Sequence, residues 1–464
     1  MKRNESPRED QGFNSRNLAL GTLLKIESEA GYANLVLPAE LRKASLEPRD
    51  SAFVTELVYG TLRKRDLYDR IIETAAKRPI RKIDDVPLNI LRLTAHQLLT
   101  MQTPPHAAVD SAVRLTVRNR SGSASGFINA ISRRISERNL SEWLEMLSEN
   151  LDSMERLALE YSHPRWIIQK YYERLKDWQL VVRELQANNQ NPRTTAVIYP
   201  GNRWSEKTLE TSQSCEWSED CRYIDGNPES VSEIRNATGG VQDQGSYLVA
   251  RALSLVPASI DPAKKESEIW LDLCAGPGGK AALLSRWAEK VQANFLAQEI
   301  APHRAELVTR MTKKVVIADS ALPPIRPASV TKILLDAPCS GLGALRRRPD
   351  ARHRKKEADL QDLVILQRQL LMSAVDLLAE GGVLAYVTCS PVREETSFNS
   401  QWLLEQKPEV TLIDARAFFP QAMTLGDTFD VQLWPGLHHT DAMYLALFRK
   451  VSARNQGLND RITQ

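Results

Sequence analysis

Between about residues 240 and 450 the chain alternates short β-rich runs with helical patterns, and no other feature of the sequence restricts the fold as much. The runs are EIWLDLC (Glu268–Cys274), NFLAQE (Asn294–Glu299), KVVIAD (Lys314–Asp319), KILLDAP (Lys332–Pro338) and VLAYVTC (Val383–Cys389). MYLALFRK (Met443–Lys450) closes the series, and stretches with helical apolar spacing, such as Lys280–Glu289 and Asp359–Leu378, separate the runs. Strands alternating with helices build a parallel sheet covered on both faces, so residues 239–450 are predicted to form an α/β domain with a mostly parallel sheet. The first four runs carry an acidic residue at or near their ends: Asp272, Glu299, Asp319 and Asp336. Open parallel sheets bind ligands beyond the carboxyl ends of their strands, where strand order reverses. Glu299 and Asp319, at successive strand ends, therefore fall on the ligand side.

Upstream, the period changes. Leu20, Leu23 and Leu24, then Phe53, Val54, Leu57, Val58 and Leu62, then Val109, Ala112, Val113 and Val117, then Phe127, Ile128, Ile131 and Ile135 all follow helical spacing. Pro38, Pro48, Pro79, Pro87 and Pro104–Pro105 are expected at the breaks between helices. Residues 15–140 thus read as an all-α bundle. Residues 141–238 read as a small mixed α/β module, helical over Trp143–Tyr161 and Ile167–Gln186, with AVIYP (Ala196–Pro200) as a strand and NATGGVQ (Asn236–Gln242) as a turn. At 464 residues the chain is too long for a single core, which suits this division. Residues 1–14 are expected to be disordered and 451–464 to form a flexible tail. The polar opening lacks the apolar core of a signal peptide, and no run approaches the roughly 20 apolar residues that span a bilayer. A cytoplasmic protein without membrane partners is expected.

The 5 cysteines form no disulfide framework, and no CxxC or Cys/His cluster points to zinc or another metal. Cys215 and Cys221 read as bland residues of the middle module. Cys274 opens the glycine-rich stretch Cys274-Ala275-Gly276-Pro277-Gly278-Gly279-Lys280, where missing side chains let the backbone turn tightly and approach a ligand. The stretch is neither GxGxxG nor GxxxxGK[ST], because Pro277 interrupts the first and Ala281 the second, so phosphate cradling is not expected. Glu299 at the second strand end can accept from both hydroxyls of a ribose, and Asp319 at the third from an adenine amino group. An adenosyl ligand without phosphates fits this set better than a dinucleotide.

Cys339, in Asp336-Ala337-Pro338-Cys339-Ser340, and Cys389, in Thr388-Cys389-Ser390-Pro391, close the fourth and fifth runs beside that ligand site. Carbon 5 of a pyrimidine takes an electrophilic methyl group only after a thiolate adds to carbon 6 and turns the ring into an enamine. Asp336 is the candidate acid at N3. Spacing alone does not say which thiol attacks.

LDLCAGPGGK, DAPCSGLGALRRRPDARHRK and YVTCSP resemble the signature motifs of the RNA 5-methylcytosine methyltransferase family, whose bacterial members include RsmB, also called Sun or Fmu. TELVYGTLR (Thr55–Arg63), LRLTAHQLL (Leu91–Leu99) and GFINAISRRI (Gly126–Ile135) resemble the NusB-type RNA-binding bundle fused to it. VQDQGSYLVA (Val241–Ala250) and LWPGLHHTDAMYLALFRK (Leu433–Lys450) are similar to the same family, so the likeness covers most of residues 16–450. It implies a Rossmann-like class I methyltransferase domain that binds S-adenosyl-L-methionine against Cys274–Lys280, Glu299, Asp319 and Asp336. It also implies that Cys389 is the nucleophile and that Cys339 assists product release. The sequence departs from the family pattern twice, with Gly276 where alanine is commoner and Glu299 where aspartate is usual.

The resemblance further implies a cytosine of small-subunit ribosomal RNA as substrate, and a monomeric enzyme is expected. A transfer-RNA cytosine-C5 enzyme shares the catalytic motifs. A non-catalytic RNA-binding assembly or antitermination factor would share only the bundle. The run Arg346, Arg347, Arg348, Arg352, Arg354, Lys355 and Lys356 follows Cys339, and Arg346–Arg348 are expected to contact RNA phosphates. His438, His439 and Asp441, ahead of the last strand, are either base-pocket residues or a structural turn.

Overall fold

A computed structural model describes residues 7–28, 31–259 and 268–451. Residues 1–6 of the expected disordered start, and the expected tail from 452 on, lie outside the described residues; residues 7–14 belong to helix Pro7–Ser28. The described chain divides into two compact units. One takes residues up to Tyr172, then Asp177–Gln190 and Leu345–Arg354; the other takes Glu173–Lys176, Asn191–Ala344 and the residues from Lys355 on. The middle module of the sequence reading is thereby divided, its helices up to Gln190 falling largely in the first unit and its sheet in the second.

The first unit is helical. Leu20, Leu23, Val54, Leu57, Val58, Leu62, Ile128, Ile131 and Ile135 are all buried in one core, as their spacing predicts. Pro48 and Pro105 begin helices Pro48–Arg63 and Pro105–Arg118, where a missing N–H costs no bond. Pro38 departs from expectation, because it lies inside helix Ala33–Ala44 rather than at a break. Proline there removes one helical hydrogen bond, and the buried Ala33 and Leu37 hold the helix to the core regardless. The long helical reading after residue 139 is cut by capping boxes, Asn139 with Glu142 and Asp152 with Glu155.

The second unit contains two sheets. In the smaller, β1 (Thr194–Ile198), β2 (Gln213–Ser214), β3 (Cys221–Ile224) and β4 (Gly239–Val241) pair antiparallel in the order β2-β3-β1-β4. The stretch read as an NATGGVQ turn thus supplies β4. A side chain at Gly239 would meet the Val197 carbonyl at 2.8 Å, so close strand approach selects glycine there. The larger sheet comprises β5 (Ile269–Asp272), β6 (Asn294–Glu299), β7 (Val315–Ile317), β8 (Val330–Asp336), β9 (Leu378–Thr388), β10 (Val410–Ile413), β11 (Val431–Gln432) and β12 (Tyr444–Lys450). Its order is β10-β12-β9-β8-β5-β6-β7, with β11 paired to β12. Strands β5 to β9 are mutually parallel, and β12 enters antiparallel against β9.

Alternate residues feed two cores. Trp270, Leu334, Val383, Ala385 and Leu447 point into one with Tyr247 and Leu284; Leu271, Ile333, Leu335, Leu384 and Phe448 point into the other with Leu370 and Leu371. Burial on both faces explains why these strands read as continuous apolar runs.

Candidate active site

Strand order reverses at β5, with β6 and β7 on one side and β8 and β9 on the other. The crevice beyond the ends of β5 and β8 is therefore the place for a ligand. The loop leaving β5 turns through Gly278, whose φ of 112° favours glycine, and enters helix Gly279–Lys290. Glu299, at the end of β6, is 3% exposed and folds back on this loop. Its Oε2 accepts the Gly276 N–H at 2.9 Å, and its Oε1 accepts that of Ala301 at 3.0 Å. A carboxylate offers about four acceptor positions, so two remain for the hydroxyls of a ribose. Arg304 pairs with Glu299 at 3.6 Å and donates to the Gly276 carbonyl. Asp319 is exposed, and its Oδ1 accepts the Ala321 N–H at 2.9 Å. Ile300 and Leu322, 60% and 83% exposed, lie next to these acids and offer apolar faces for a purine.

Asp272 was visible in the sequence only as a strand end, yet it is the most unusual group here. It is 1% exposed, and neither carboxylate oxygen has a hydrogen-bond partner among the described residues. Burial, with Asp336 adding, pushes its pKa up to about 8. A buried carboxylate left without a donor calls for a cationic or hydrogen-bonding ligand group. The α-ammonium of S-adenosylmethionine is such a group, so the residues present fit that molecule. The Lys280 ammonium bonds Asp336 at 2.7 Å; burial is the largest single influence and lowers its pKa, but the charge and hydrogen bond of Asp336, with Cys389 and Asp272, together raise it. Cys389 and Asp272 also face that ammonium. Cys274 is a packing residue whose thiol is pushed up by burial.

The turns after β8 and β9 bring the two motif thiols together. Cys339 Sγ and Cys389 Sγ lie 3.3 Å apart, both half-buried. The Gly343 N–H donates to the Cys389 carbonyl at 2.9 Å, and a side chain at Gly343 would meet the Ala442 carbonyl at 2.1 Å. The Cys339 thiol is held well above its ordinary pKa by its hydrogen bond with Cys389, then by burial and by Glu395. Glu395 is a buried carboxylate that the sequence reading passed over.

Cys215, Cys221 and His438 lie in packed surroundings. Cys215 and Cys221 are buried in the smaller sheet, where burial pushes Cys215 up to about 12 and Cys221 well above the ordinary range. His438 is buried; its Nδ1 accepts the Trp434 N–H at 2.8 Å and its Nε2 faces the Thr424 carbonyl at 3.0 Å, which describes a neutral ring locked in a turn. His439 takes a left-handed conformation at the end of that turn, and the Asp441 N–H donates to Asp243 at 3.0 Å.

The basic run belongs mainly to the helical unit. Arg346 is buried and its carbonyl accepts from Arg63 at 3.2 Å; Arg347 is half-buried and Arg348 exposed. Arg352 is fully buried, donating to Asn189 Oδ1 at 2.8 Å and to the carbonyls of Arg63, Ser162 and Asn188, each at 3.3 Å. Arg354 donates to the Ile26 carbonyl at 2.8 Å. Much of this charge is therefore spent on internal carbonyls, and a buried Arg346 side chain does not present itself to a phosphate backbone.

A doubly wound sheet of this order, with a glycine turn after its first strand, acidic residues on the next strands and an antiparallel penultimate strand, defines an S-adenosylmethionine-dependent methyltransferase. The chain belongs to the RsmB/F family of RNA methyltransferases. Residues 259–449 match the family described as 16S rRNA methyltransferase RsmB/F, and residues 13–137 match the NusB family. The chain is 38% identical to a putative methyltransferase of Mycobacterium tuberculosis, covering 97% of this chain and 99% of that protein. It is 28% identical to a probable ribosomal RNA small subunit methyltransferase B of Bacillus subtilis, covering 85% and 89%. The crystal structure of PH0851 superimposes with a TM-score of 0.77 at 21% identity, over 97% of this chain and all of that one, and shows the fold. Among the described residues no helix is long and apolar enough to cross a membrane, and no group of three potential metal ligands occurs.

Proposed function

We propose that this enzyme methylates carbon 5 of a cytosine in small-subunit ribosomal RNA through a covalent bond between Cys389 and carbon 6. One observation carries the reading: two half-buried thiols 3.3 Å apart at the ends of neighbouring strands, beside the Lys280–Asp336 pair. Two thiols at one carbon suit a reaction in which one adds and the other attends elimination. The similarity to a probable ribosomal RNA small subunit methyltransferase B supports the substrate class.

The Cys389 thiolate adds to carbon 6, forming the S–C bond and moving the ring electrons toward N3. Asp336, bonded to the Lys280 ammonium at 2.7 Å, is the candidate to hydrogen-bond and protonate N3, where negative charge develops. S-adenosylmethionine, when bound, supplies the electrophilic methyl that carbon 5 takes. A general base, water or a side chain, then takes the carbon 5 proton; the C5–C6 double bond re-forms as the C6–S bond breaks, Cys389 leaves as the thiolate with Cys339 assisting release, and N3 returns its proton to its donor. The Cys339 thiol is raised well above the ordinary range by its hydrogen bond with Cys389, by burial and by Glu395. The base has to leave its stack for the thiolate to reach carbon 6, which favours loops and single strands. Arg347 and Arg348 remain candidate phosphate contacts, whereas Arg346 contributes through its packing.

Labelled methyl transfer to small-subunit ribosomal RNA and to transfer RNA tests the reading. Cys389→Ala abolishes transfer, and Cys339→Ala accumulates a protein–RNA adduct that survives denaturant. An adduct that depends on Cys339 instead reverses the two roles, and preferential methylation of transfer RNA replaces the substrate.

A further inference from the structure

Glu395 is fully buried, and its carboxylate collects donors from both cysteine-bearing turns. Its Oε1 accepts the Ser340 N–H at 2.7 Å and Gln367 Nε2 at 3.2 Å. Its Oε2 accepts the hydroxyls of Ser340 and Ser390, each at 2.5 Å. Ser340 directly follows Cys339, and Ser390 directly follows Cys389. The two hydroxyls are 3.2 Å apart and the two thiols 3.3 Å apart, so the serines form a rung adjoining the thiol rung.

The surroundings leave little slack. Gln367 Nε2 also donates to the Pro338 carbonyl at 2.9 Å, and its Oε1 accepts Asn399 Nδ2 at 2.8 Å. The Tyr386 hydroxyl donates to the Glu395 carbonyl at 2.7 Å. Ser390 Oγ accepts the Val392 N–H at 3.1 Å, so its own proton is committed to Glu395. An ionised carboxylate is acceptor-only, with about four lone-pair positions for these four donors. A glutamine would turn an N–H edge toward either the Ser340 amide or the hydroxyls, and one turn would have to shift. Satisfied buried networks of this kind fix geometry, and half-satisfied ones do not.

We propose that Glu395 is a positioning residue for the reaction: by binding Ser340 and Ser390 at once, it holds the Cys339 and Cys389 turns at the separation that addition and elimination at one carbon require. This rests on the reading of the two thiols given above. Glu395 acts through the serines and touches no reacting atom. Its charge also raises the Cys339 thiol, after the Cys389 hydrogen bond and burial.

The experiment compares wild type, Glu395→Gln, Ser340→Ala, Ser390→Ala and Cys389→Ala as full-length chains. Methyl transfer to RNA, S-adenosylmethionine binding, thermal midpoint and the fraction trapped as denaturant-resistant adduct are measured for each. Glu395→Gln is expected to lower kcat by about 100-fold, the scale of an ångström misplacement, while the KM for RNA and the cofactor Kd stay within about twofold. Adding Ser390→Ala to Glu395→Gln is expected to slow the enzyme no further, because both act on one turn. Should Glu395→Gln fail to fold, Ser340→Ala and Ser390→Ala carry the test, each slowing kcat without moving KM. Wild-type kcat in Glu395→Gln, or in both serine variants, alongside inactive Cys389→Ala overturns the positioning role. Activity in Cys389→Ala overturns the thiol reading and this inference with it.

Discussion

Glu299 occupies the space that a side chain at residue 276 would fill. Its Oε2 sits 2.9 Å from the Gly276 nitrogen, and a Cβ placed on Gly276 would approach that same oxygen to 2.3 Å. The two departures from the family pattern, glycine for alanine and glutamate for aspartate, thus meet at one point of the loop, where Arg304 Nε would also lie 2.7 Å from that Cβ. The longer acid reaches one methylene further into the loop, and the loop gives up a methyl group.

This coupling is measurable. Gly276→Ala alone is expected to lower stability by about 1–3 kcal/mol, as overpacking does, and to weaken S-adenosylmethionine binding. Glu299→Asp withdraws the carboxylate by one methylene, and the double variant is expected to recover most of both losses. Urea unfolding and cofactor titration of the four proteins give the coupling. Strictly additive effects would show that the two positions are independent.

Asp272 predicts a pH dependence of opposite sign to the usual carboxylate. Its pKa rises on folding, to about 8, because of burial first and Asp336 second, with Lys280 only partly offsetting them. The folded state therefore holds a proton that the unfolded state releases, and this group's contribution falls as pH rises from about 4 toward 8. Asp272→Asn is expected to stabilise the cofactor-free protein near pH 8 by on the order of 2 kcal/mol, with much less gain near pH 5. It is also expected to weaken S-adenosylmethionine binding by roughly 10-fold or more, through loss of a charge-assisted bond to the ammonium. Calorimetry at both pH values, with and without cofactor, checks both halves. Unchanged cofactor affinity would remove Asp272 from the ligand site.

The parallel strands were legible because each is buried on both faces, so apolar runs such as Lys332–Leu335 stand out against polar loops. The glycine loop and the two cysteine turns were legible because their composition is rare. Strand β10 was not, since Val410–Ile413 is a short, largely half-buried edge whose partner, β12, lies far along the chain. Strands β3 and β4 were hidden in the same way, by brevity and polar neighbours. Asp272 and Glu395 escaped because one is a strand-end acid among several and the other sits in an Arg-Glu-Glu run that looks solvated. What makes them exceptional is burial, which depends on residues distant in sequence. The internal bonds of Arg352 were hidden for that reason too: its acceptors come from residues such as 63, 162, 188 and 189, and no local pattern announces them.

Two buried histidines set how the helical unit answers to acid. The buried His163 lies 3.4 Å from the Arg352 guanidinium, and burial, then Arg352, holds its pKa well below the ordinary histidine value. Burial likewise lowers His96, although Glu56 opposes the shift. In both cases the unfolded state binds the proton more readily, so the stability these neutral rings permit is present above about pH 6.5 and is lost as pH falls below it. Each ring is expected to cost the helical unit up to about 1.4 kcal/mol per pH unit under that value. Amide exchange in helices Arg65–Ala76 and Arg165–Leu175 should therefore quicken from pH 6.5 to 5.5, after correction for intrinsic rates. His163→Gln removes one titrating ring and is expected to flatten this response near Arg352, leaving the His96 share. An unaltered pH response in that variant would mean that His163 can take up its proton beside the guanidinium, and that the Arg352 cluster is less tightly closed than its carbonyl contacts indicate.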